Sequence, residues 1–243
     1  MRLDVYLSEN GFASSRSEAK ALICGGAVVV NGKAINKPAL DVCDEDSISV
    51  DTEMKKYASR GGLKLEAALD AFRVNPDRKL ALDIGASSGG FTDCLLKRGA
   101  LRVAAVDSGV GQLAEFLRAD GRVVSIEKFN ARFMKPKDLP FVPEIAGMDV
   151  SFISAKLIIP SVYECLALGG DYICLIKPQF EVGREGVGKG GIVKDEKLRN
   201  KAVSEVIEFA RRCGFSFLGT IKSPITGGDG NIEFLAHLRK DNK

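Results

Sequence analysis

Ala81-Leu82-Asp83-Ile84-Gly85-Ala86-Ser87-Ser88-Gly89-Gly90-Phe91 is an apolar run of strand length that breaks into a glycine-rich turn and then opens a helix. Glycines in such a turn let the backbone approach a ligand closely. Two phosphate-binding patterns fail here. The dinucleotide fingerprint needs a glycine where Ser87 stands, and the phosphate loop needs a lysine where Phe91 stands. With no lysine and with the acidic Asp83 close by, the turn suits a cofactor without phosphates. Asp107 ends the next apolar run, where a carboxylate can accept both hydroxyls of an adenosyl ribose.

Around this turn, strand-like and helix-like segments alternate. Strands are predicted at 80–84, 103–106, 123–126, 145–148 and 172–176, with helices near 91–98, 112–118, 154–168 and 197–212. That alternation predicts an α/β fold, a mostly parallel sheet covered by helices on both faces. The chain closes differently. Two strand-like runs, 217–221 and 232–238, flank Gly227-Gly228-Asp229-Gly230 with no helix between them, so an antiparallel hairpin should complete the sheet. This combination is expected of Rossmann-like methyltransferases, not of ordinary dinucleotide-binding folds.

Polar residues directly after buried strands carry the chemistry, because ligands of an open parallel sheet bind outside the carboxyl ends of its strands. Asp149 follows 145–148, and Lys177 follows 172–176. One solvated strand end is ordinary; two beside the same glycine turn point to a site. Gly183-Arg184-Glu185-Gly186-Val187-Gly188-Lys189-Gly190 nearly matches a phosphate loop but offers Gly190 where a hydroxyl residue should bind magnesium, so it reads as a mobile basic loop beside the substrate.

The first fifty residues form a separate small unit. Leu3 and Leu7 share one helix face, Asn10-Gly11 ends that helix, and Ser14 or Ser15 can cap a second one carrying Ala19, Leu22 and Ile23. Asn31-Gly32, between 27–30 and 33–35, is a type I′ hairpin signal, and Ile48 and Val50 suggest a further strand. This helix–helix–hairpin order, from Ser15-Arg16 to Asn31-Gly32, resembles the small RNA-binding domain named after the fourth small-subunit ribosomal protein. The expected division is a small α+β RNA-binding domain at 1–53, a basic linker at 54–64 and a catalytic domain at 65–243. Arg2, Arg16, Lys20 and Lys33 of the first unit, Arg60 of the linker, and Arg184 and Lys189 of the basic loop are the candidate RNA contacts. Against them, Asp41, Asp44, Glu45 and Asp46 leave the first unit slightly acidic.

Composition excludes several other classes. The net charge of +3 is too small to argue for a nucleic-acid partner by itself, and 45% hydrophobic with 28% charged residues is ordinary for a chain that buries a core. The six cysteines are scattered without a C-x-x-C pair, and His237 is the one histidine, so no zinc-ligand spacing occurs. His237 lies in an alternating run and reads as a strand residue. The start lacks a signal-peptide pattern, and the most apolar stretch, 157–176, is broken by Pro160, Glu164, Gly169, Gly170 and Asp171. A reducing cytoplasm is the expected setting.

Five separated motifs carry a resemblance that spans essentially the whole chain. They are the glycine turn, Ser59-Arg60-Gly61-Gly62-Leu63-Lys64-Leu65, Met148-Asp149-Val150-Ser151-Phe152, Leu175-Ile176-Lys177-Pro178-Gln179-Phe180-Glu181 and Gly230-Asn231-Ile232-Glu233-Phe234. Together they resemble the TlyA (hemolysin A) family of ribosomal RNA 2′-O-methyltransferases, whose catalytic domain is similar to that of FtsJ. The resemblance implies S-adenosylmethionine as cofactor, no metal, and a catalytic tetrad of Lys64, Asp149, Lys177 and Glu233. It implies a cofactor pocket lined by Gly85, Ser87, Gly89, Gly90, Phe91 and Asp149, with Asp107 on the ribose and Asn130 near the adenine, where the FtsJ relatives have an aspartate. It further implies a cytidine in ribosomal RNA as substrate. The start of the chain directly at the first helix suggests the short members that act on the large subunit. Lys177 would be the base: a lysine accepts a proton only when neutral, and burial, Lys64 and the cofactor's positive charge favour that form. Asp149 would orient Lys177, and Glu233 would hold Lys64 or the hydroxyl.

Rival readings leave different traces. A membrane-lytic hemolysin needs a span or a long amphipathic segment outside the core helices. An assembly factor with a decayed site would not keep all four tetrad positions. Base methylation relies on an Asn-Pro-Pro-Tyr type motif or a nucleophilic cysteine, and neither is present.

Overall fold

The structure, a computed structural model, describes residues 1–13, 15–24, 26–51, 56–227 and 230–241, without the side chains of 21, 34 and 184. The first unit pairs helices α1 (Leu3–Glu9) and α2 (Arg16–Cys24) with strands β1 (Val28–Val30), β2 (Lys33–Ile35) and β3 (Ile48–Val50). β1 lies between the other two, antiparallel to both. Asn31 and Gly32 both have positive φ, 51° and 75°, as a type I′ turn requires. Ser15 Oγ accepts the Glu18 N–H and so caps α2; Ser14, the other candidate cap, lies outside the described residues. Leu3, Leu7, Ala19, Ile23 and Val28 form the buried centre of the unit.

The second unit runs α3 (Gly61–Phe72), β4 (Leu80–Ile84), α4 (Gly90–Lys97), β5 (Arg102–Val106), α5 (Glu115–Ala119), β6 (Val123–Ile126), β7 (Ile145–Met148), α6 (Ile159–Cys165), β8 (Asp171–Ile176), α7 (Glu196–Cys213), β9 (Ser216–Lys222) and β10 (Phe234–Arg239). Seven strands order as β6-β5-β4-β7-β8-β10-β9, with β4 to β8 parallel and β10 antiparallel to both neighbours. The parallel strands β4, β7 and β8 are buried almost throughout, as expected of strands covered on both faces. Successive side chains of β4 point to opposite faces. Leu82 and Ile84 join the core under α6 and α7, whereas Ala81 joins the core under α3 and α4.

Three helices differ from expectation. α3 begins at Gly61, inside the segment expected to be linker, because Gly62 packs against the Tyr57 ring with no room for a side chain. The helix expected at 154–168 is a 3₁₀ turn, Ala155–Leu157, followed by α6, with Pro160 in the first turn of α6 where its missing N–H costs nothing. α5 starts three residues later than read, after Ala114 adopts extended ψ. No helix among the described residues is long and apolar enough to cross a membrane.

At the end of β8 away from the glycine turn, Asp171 is almost fully buried and accepts bonds from Arg239 Nε (3.0 Å) and Nη2 (2.7 Å), with His237 Nε2 at 2.9 Å and Lys79 Nζ at 3.3 Å. His237 is thus a sheet residue bound to a carboxylate. Burial pushes Asp171 up, but the bonds from His237 and Arg239 and the charges of Arg239 and Lys79 outweigh it and hold the carboxyl at about 2. A carboxylate depressed in the folded state stabilises it above the unfolded-chain pKa near 4, and that contribution disappears as pH falls towards 2. Asp171→Asn is therefore expected to cost about 3 kcal/mol at pH 7 by urea unfolding, and to flatten the loss of stability between pH 4 and 2. An unchanged acid limb would show that Asp171 is not what holds this end of the sheet.

Candidate active site

Strand register brings the functional residues together. Ile84 of β4 sits opposite Val106 and Met148, Met148 sits opposite Cys174 of β8, and Phe234, first residue of β10, pairs with Ile176, last of β8. Gly85, Asp107, Asp149 and Lys177 lie just past these pairs, and Glu233 arrives at the same edge from the opposite direction. The chain changes sides of the sheet between β4 and β7, and in open α/β sheets that switch point opens the ligand crevice. Lys64, one turn into α3, reaches over from above.

These side chains form a line of alternating charge. Lys177 Nζ is 2.6 Å from Asp149 Oδ1; Lys64 Nζ is 3.9 Å from Asp149 Oδ2 and 2.5 Å from Glu233 Oε2. Glu233 and Lys64 are buried, their side chains 2% and 8% exposed, and Asp149 at 20% is the most open of the four. The Asp149–Lys177 pair therefore faces the crevice, and Lys64–Glu233 backs it from inside. Charges this covered persist only in compensating pairs.

Two residues outside the predicted set hold this line in place. Ser151 Oγ accepts a hydrogen bond from Lys177 Nζ at 2.9 Å. Glu181, fully covered, accepts bonds from Ser154 Oγ at 2.6 Å and the Ala155 N–H at 2.7 Å. Burial raises its carboxyl, and those two bonds only partly offset the rise. Glu181 so fastens the segment after β7 to the segment after β8. Its place in the motif after Lys177 was visible in the sequence; its partners, about 26 positions away, were not.

The glycine turn is shaped by protein as much as by any ligand. A side chain at Gly85 would strike the Asp149 carbonyl, one at Gly89 would strike Leu117 and Leu113, and one at Gly90 would strike Ser59. Gly85, Ser87 and Gly89 all take left-handed conformations, with φ 81°, 48° and 97°. Asp107 is the anchor of the turn: Oδ2 accepts the Ser87 N–H and Oδ1 the Gly109 N–H, both at 2.7 Å. Ala86, Ser87, Asp107, Gln112, Ser125 and Glu127 line a small cleft here. Gly85, Gly89, Gly90, Asp149, Phe91 and Asn130 do not line this small cleft. The Phe91 ring is buried against Gly147 in the core, because it falls on the inward face of α4. Asn130 is exposed and outside the cleft, its side-chain oxygen accepting the Arg132 N–H of a 3₁₀ turn.

Comparison with known proteins matches this geometry. Residues 57–240 match the FtsJ-like methyltransferase family and residues 1–48 match the S4 domain. The chain is 41% identical over 239 residues to the 16S/23S rRNA (cytidine-2′-O)-methyltransferase TlyA of Mycobacterium tuberculosis, covering 98% of this chain and 89% of that one. The chain belongs to the TlyA family. Hemolysin A of Brachyspira hyodysenteriae is 46% identical over 98% of this chain and 99% of its own. A solved hemolysin structure from Streptococcus thermophilus superposes with a TM-score of 0.80 at 44% identity, covering all of this chain and 89% of that one.

The candidate RNA contacts of this TlyA-family chain divide into two groups. Lys20, Lys33 and Lys189 are exposed. Arg2 and Arg16 are also exposed but clamp the fully buried Asp4, Arg2 Nε at 2.9 Å and Arg16 Nη2 at 3.1 Å, and Arg60 is half-buried with its guanidinium against Gly26. The bonds from Arg2, with help from Arg16 and against the cost of burial, hold Asp4 far below the usual carboxylate range. Those arginines have a structural task whatever else they touch. The Arg184 side chain lies outside the described residues.

Asp83 was read only as an acid near the turn, and its position makes it more. It is fully buried on the α4 side of β4; Oδ2 accepts the Thr92 N–H (2.8 Å) and Oγ (2.6 Å), and Oδ1 has no partner among the described residues. Burial pushes its carboxyl up to about 7 against the Thr92 bonds, with Asp149 and Asp107 adding to the rise. Three carboxyl groups around a turn without lysine fit a cationic, phosphate-free cofactor such as S-adenosylmethionine, and an orphaned acid oxygen beneath it fits the same charge. In the ligand-free protein, Asp83 stays protonated to about pH 7 while the unfolded chain ionises it near 4, so the folded state binds the extra proton and stability falls as pH rises through that window. Asp83→Asn cannot ionise. Its stability relative to the native protein should therefore improve from pH 4.5 to 7.5, read from urea midpoints; a difference constant with pH would contradict this assignment.

Proposed function

We propose that this chain transfers a methyl group from S-adenosylmethionine to the 2′-hydroxyl of a cytidine ribose in ribosomal RNA. The carrying observation is the line Lys177–Asp149–Lys64–Glu233, set at the strand ends beside the glycine turn. A ribose hydroxyl is a poor nucleophile until its proton is drawn away, so the site must align it and accept that proton. Lys177 is the group to do so: it stands at the open end of the line, and Asp149 and Ser151 fix its direction. Lys64, braced by Glu233, holds the far side of Asp149 and keeps its carboxylate turned towards Lys177. Ser87, Asp107 and Asp149, with the backbone of Gly85, Gly89 and Gly90, would hold the cofactor, which when bound supplies an electrophilic sulfonium methyl. No step in this scheme calls for a metal ion.

The substrate assignment rests on the relatives. The M. tuberculosis TlyA is named for cytidines of both 16S and 23S rRNA. We assign this chain to the large subunit, the target shared by the names of the M. tuberculosis TlyA and a 23S rRNA (cytidine-2′-O)-methyltransferase TlyA of Campylobacter jejuni 33% identical over 99% of this chain, with the cytoplasm as its workplace. Residues 1–53 supply the first grip on RNA through Lys20 and Lys33, the segment before Gly61 joins the units, and the unit that begins with α3, and so includes Lys64, carries the chemistry.

Incubation of ribosomal RNA or subunits with labelled cofactor, followed by mass mapping of nuclease fragments, tests the reading directly. The expected product is 2′-O-methylcytidine; a base-methylated nucleoside or no transfer at all would reject it. Lys177→Ala should lower single-turnover methyl transfer by about a hundredfold or more while cofactor affinity stays within a few fold. Lys177→Arg should not restore the rate, since a guanidinium stays protonated. Retained activity in the arginine variant would make Lys177 an electrostatic positioner and send the proton elsewhere.

The RNA grip has its own readout. Lys20→Ala with Lys33→Ala should weaken binding to ribosomal subunits without changing cofactor affinity. It should also reduce the slope of log affinity against log salt by about one to two, one released counterion per lost phosphate contact. An unchanged slope would remove these lysines from the RNA interface.

A further inference from the structure

The near phosphate-loop segment at 183–193 has no task in the catalytic line described so far, and it is held by more hydrogen bonds than its eleven residues, five of them glycine, would suggest. Arg184–Gly186 is a 3₁₀ turn, and Gly190 and Gly191 take successive left-handed conformations, φ 80° and 78°. Glycine loses more freedom on ordering than any other residue, so something must select this one conformation. Asn231 is the group that does. It is 1% exposed; its Nδ2 donates to the Gly191 carbonyl at 2.8 Å and its Oδ1 accepts the Val193 N–H at 3.0 Å. Arg199 of α7 secures the far side, donating to the Val193 and Lys194 carbonyls at 2.9 and 2.8 Å.

Asn231 is two residues before Glu233, whose carboxylate holds Lys64. One short stretch therefore sets both a tetrad carboxylate and the loop. The loop presents Lys189 and Lys194 to solvent, and neither pairs with a carboxylate among the described residues. Unpaired lysines on an ordered loop, anchored to the segment that completes a catalytic line, match a polyanionic backbone passing that line.

We propose that Asn231 is a positioning residue for the substrate RNA, holding the loop so that Lys189 meets a backbone phosphate next to the tetrad. The inference rests on the methyl-transfer reading above. Its energetic basis is preorganisation: a loop already ordered does not have to be ordered at the cost of binding energy.

Steady-state kinetics on ribosomal subunits test it with Asn231→Ala, Lys189→Ala and the double variant. Asn231→Ala should raise KM for RNA about tenfold, with kcat and cofactor affinity within threefold. Lys189→Ala should raise KM as well, and the double variant should be no worse than Asn231→Ala, because a lysine on a released loop has little left to lose. Asn231→Asp keeps volume and the Val193 bond but sets an oxygen against the Gly191 carbonyl, so it should not rescue KM. It also carries the comparison if Asn231→Ala does not fold. Hydrogen exchange at the Val193 amide reports whether the loop was released. Additive effects in the double variant, a native KM with Val193 unprotected, or native behaviour of Asn231→Asp would each overturn the proposal. Filter binding of subunits by the same variants reads the loop without methyl transfer, so failure of the chemistry and failure of this inference remain distinct.

Discussion

Asp149 stands between two ammonium groups, and the architecture of the catalytic unit can be understood as the means of keeping it there. At about 4 Å and an effective dielectric near 20, opposite unit charges attract by roughly 4 kcal/mol, enough to offset much of the cost of taking them out of water. Removing one of the four would leave a covered charge without its counterpart. The four residues come from positions 64, 149, 177 and 233, so none of them can be placed until the sheet is assembled from β4 to β10. The closing hairpin is part of this requirement. Because β10 runs antiparallel, it brings the residue before its first position, Glu233, beside the end of β8.

Much of the fold was legible because its strands are buried on both faces and therefore appear in the sequence as uninterrupted apolar runs. The runs at 80–84 and 145–148 coincide with the buried strands β4 and β7, and the half-exposed edge strand β6 coincides with 123–126. Helix starts were less legible. Gly61-Gly62 looks locally like a break, and only the Tyr57 ring pressed against Gly62 explains why glycine is needed in the first turn of α3. Local propensity could not reveal that contact, just as it could not show the 154–168 segment dividing ahead of Pro160.

The site was legible where its residues are charged and follow a buried strand, as with Asp149 and Lys177. It was opaque where a side chain serves the backbone of a segment far away in sequence. Ser151, Glu181 and Asn231 all lie inside stretches whose motifs were evident, yet each looks in isolation like a polar loop residue. Phe91 and Asn130 likewise have local partners that the sequence did not show: the turn of α4 carries the Phe91 ring inward, and a 3₁₀ turn takes up the Asn130 side chain.

Gly89 and Gly90 have a consequence for how damage to this protein would present in a living cell. Side chains there would run into Leu117 and Ser59, groups of the protein itself, rather than only into the space a ligand would take. Missense alleles at these codons would thus reduce the amount of folded protein made, and chaperones and proteases would remove the remainder. Missense alleles at Lys177 would leave a full complement of inert protein still able to occupy its target. Both kinds lose the modification, yet only the second would be dominant over a wild-type copy.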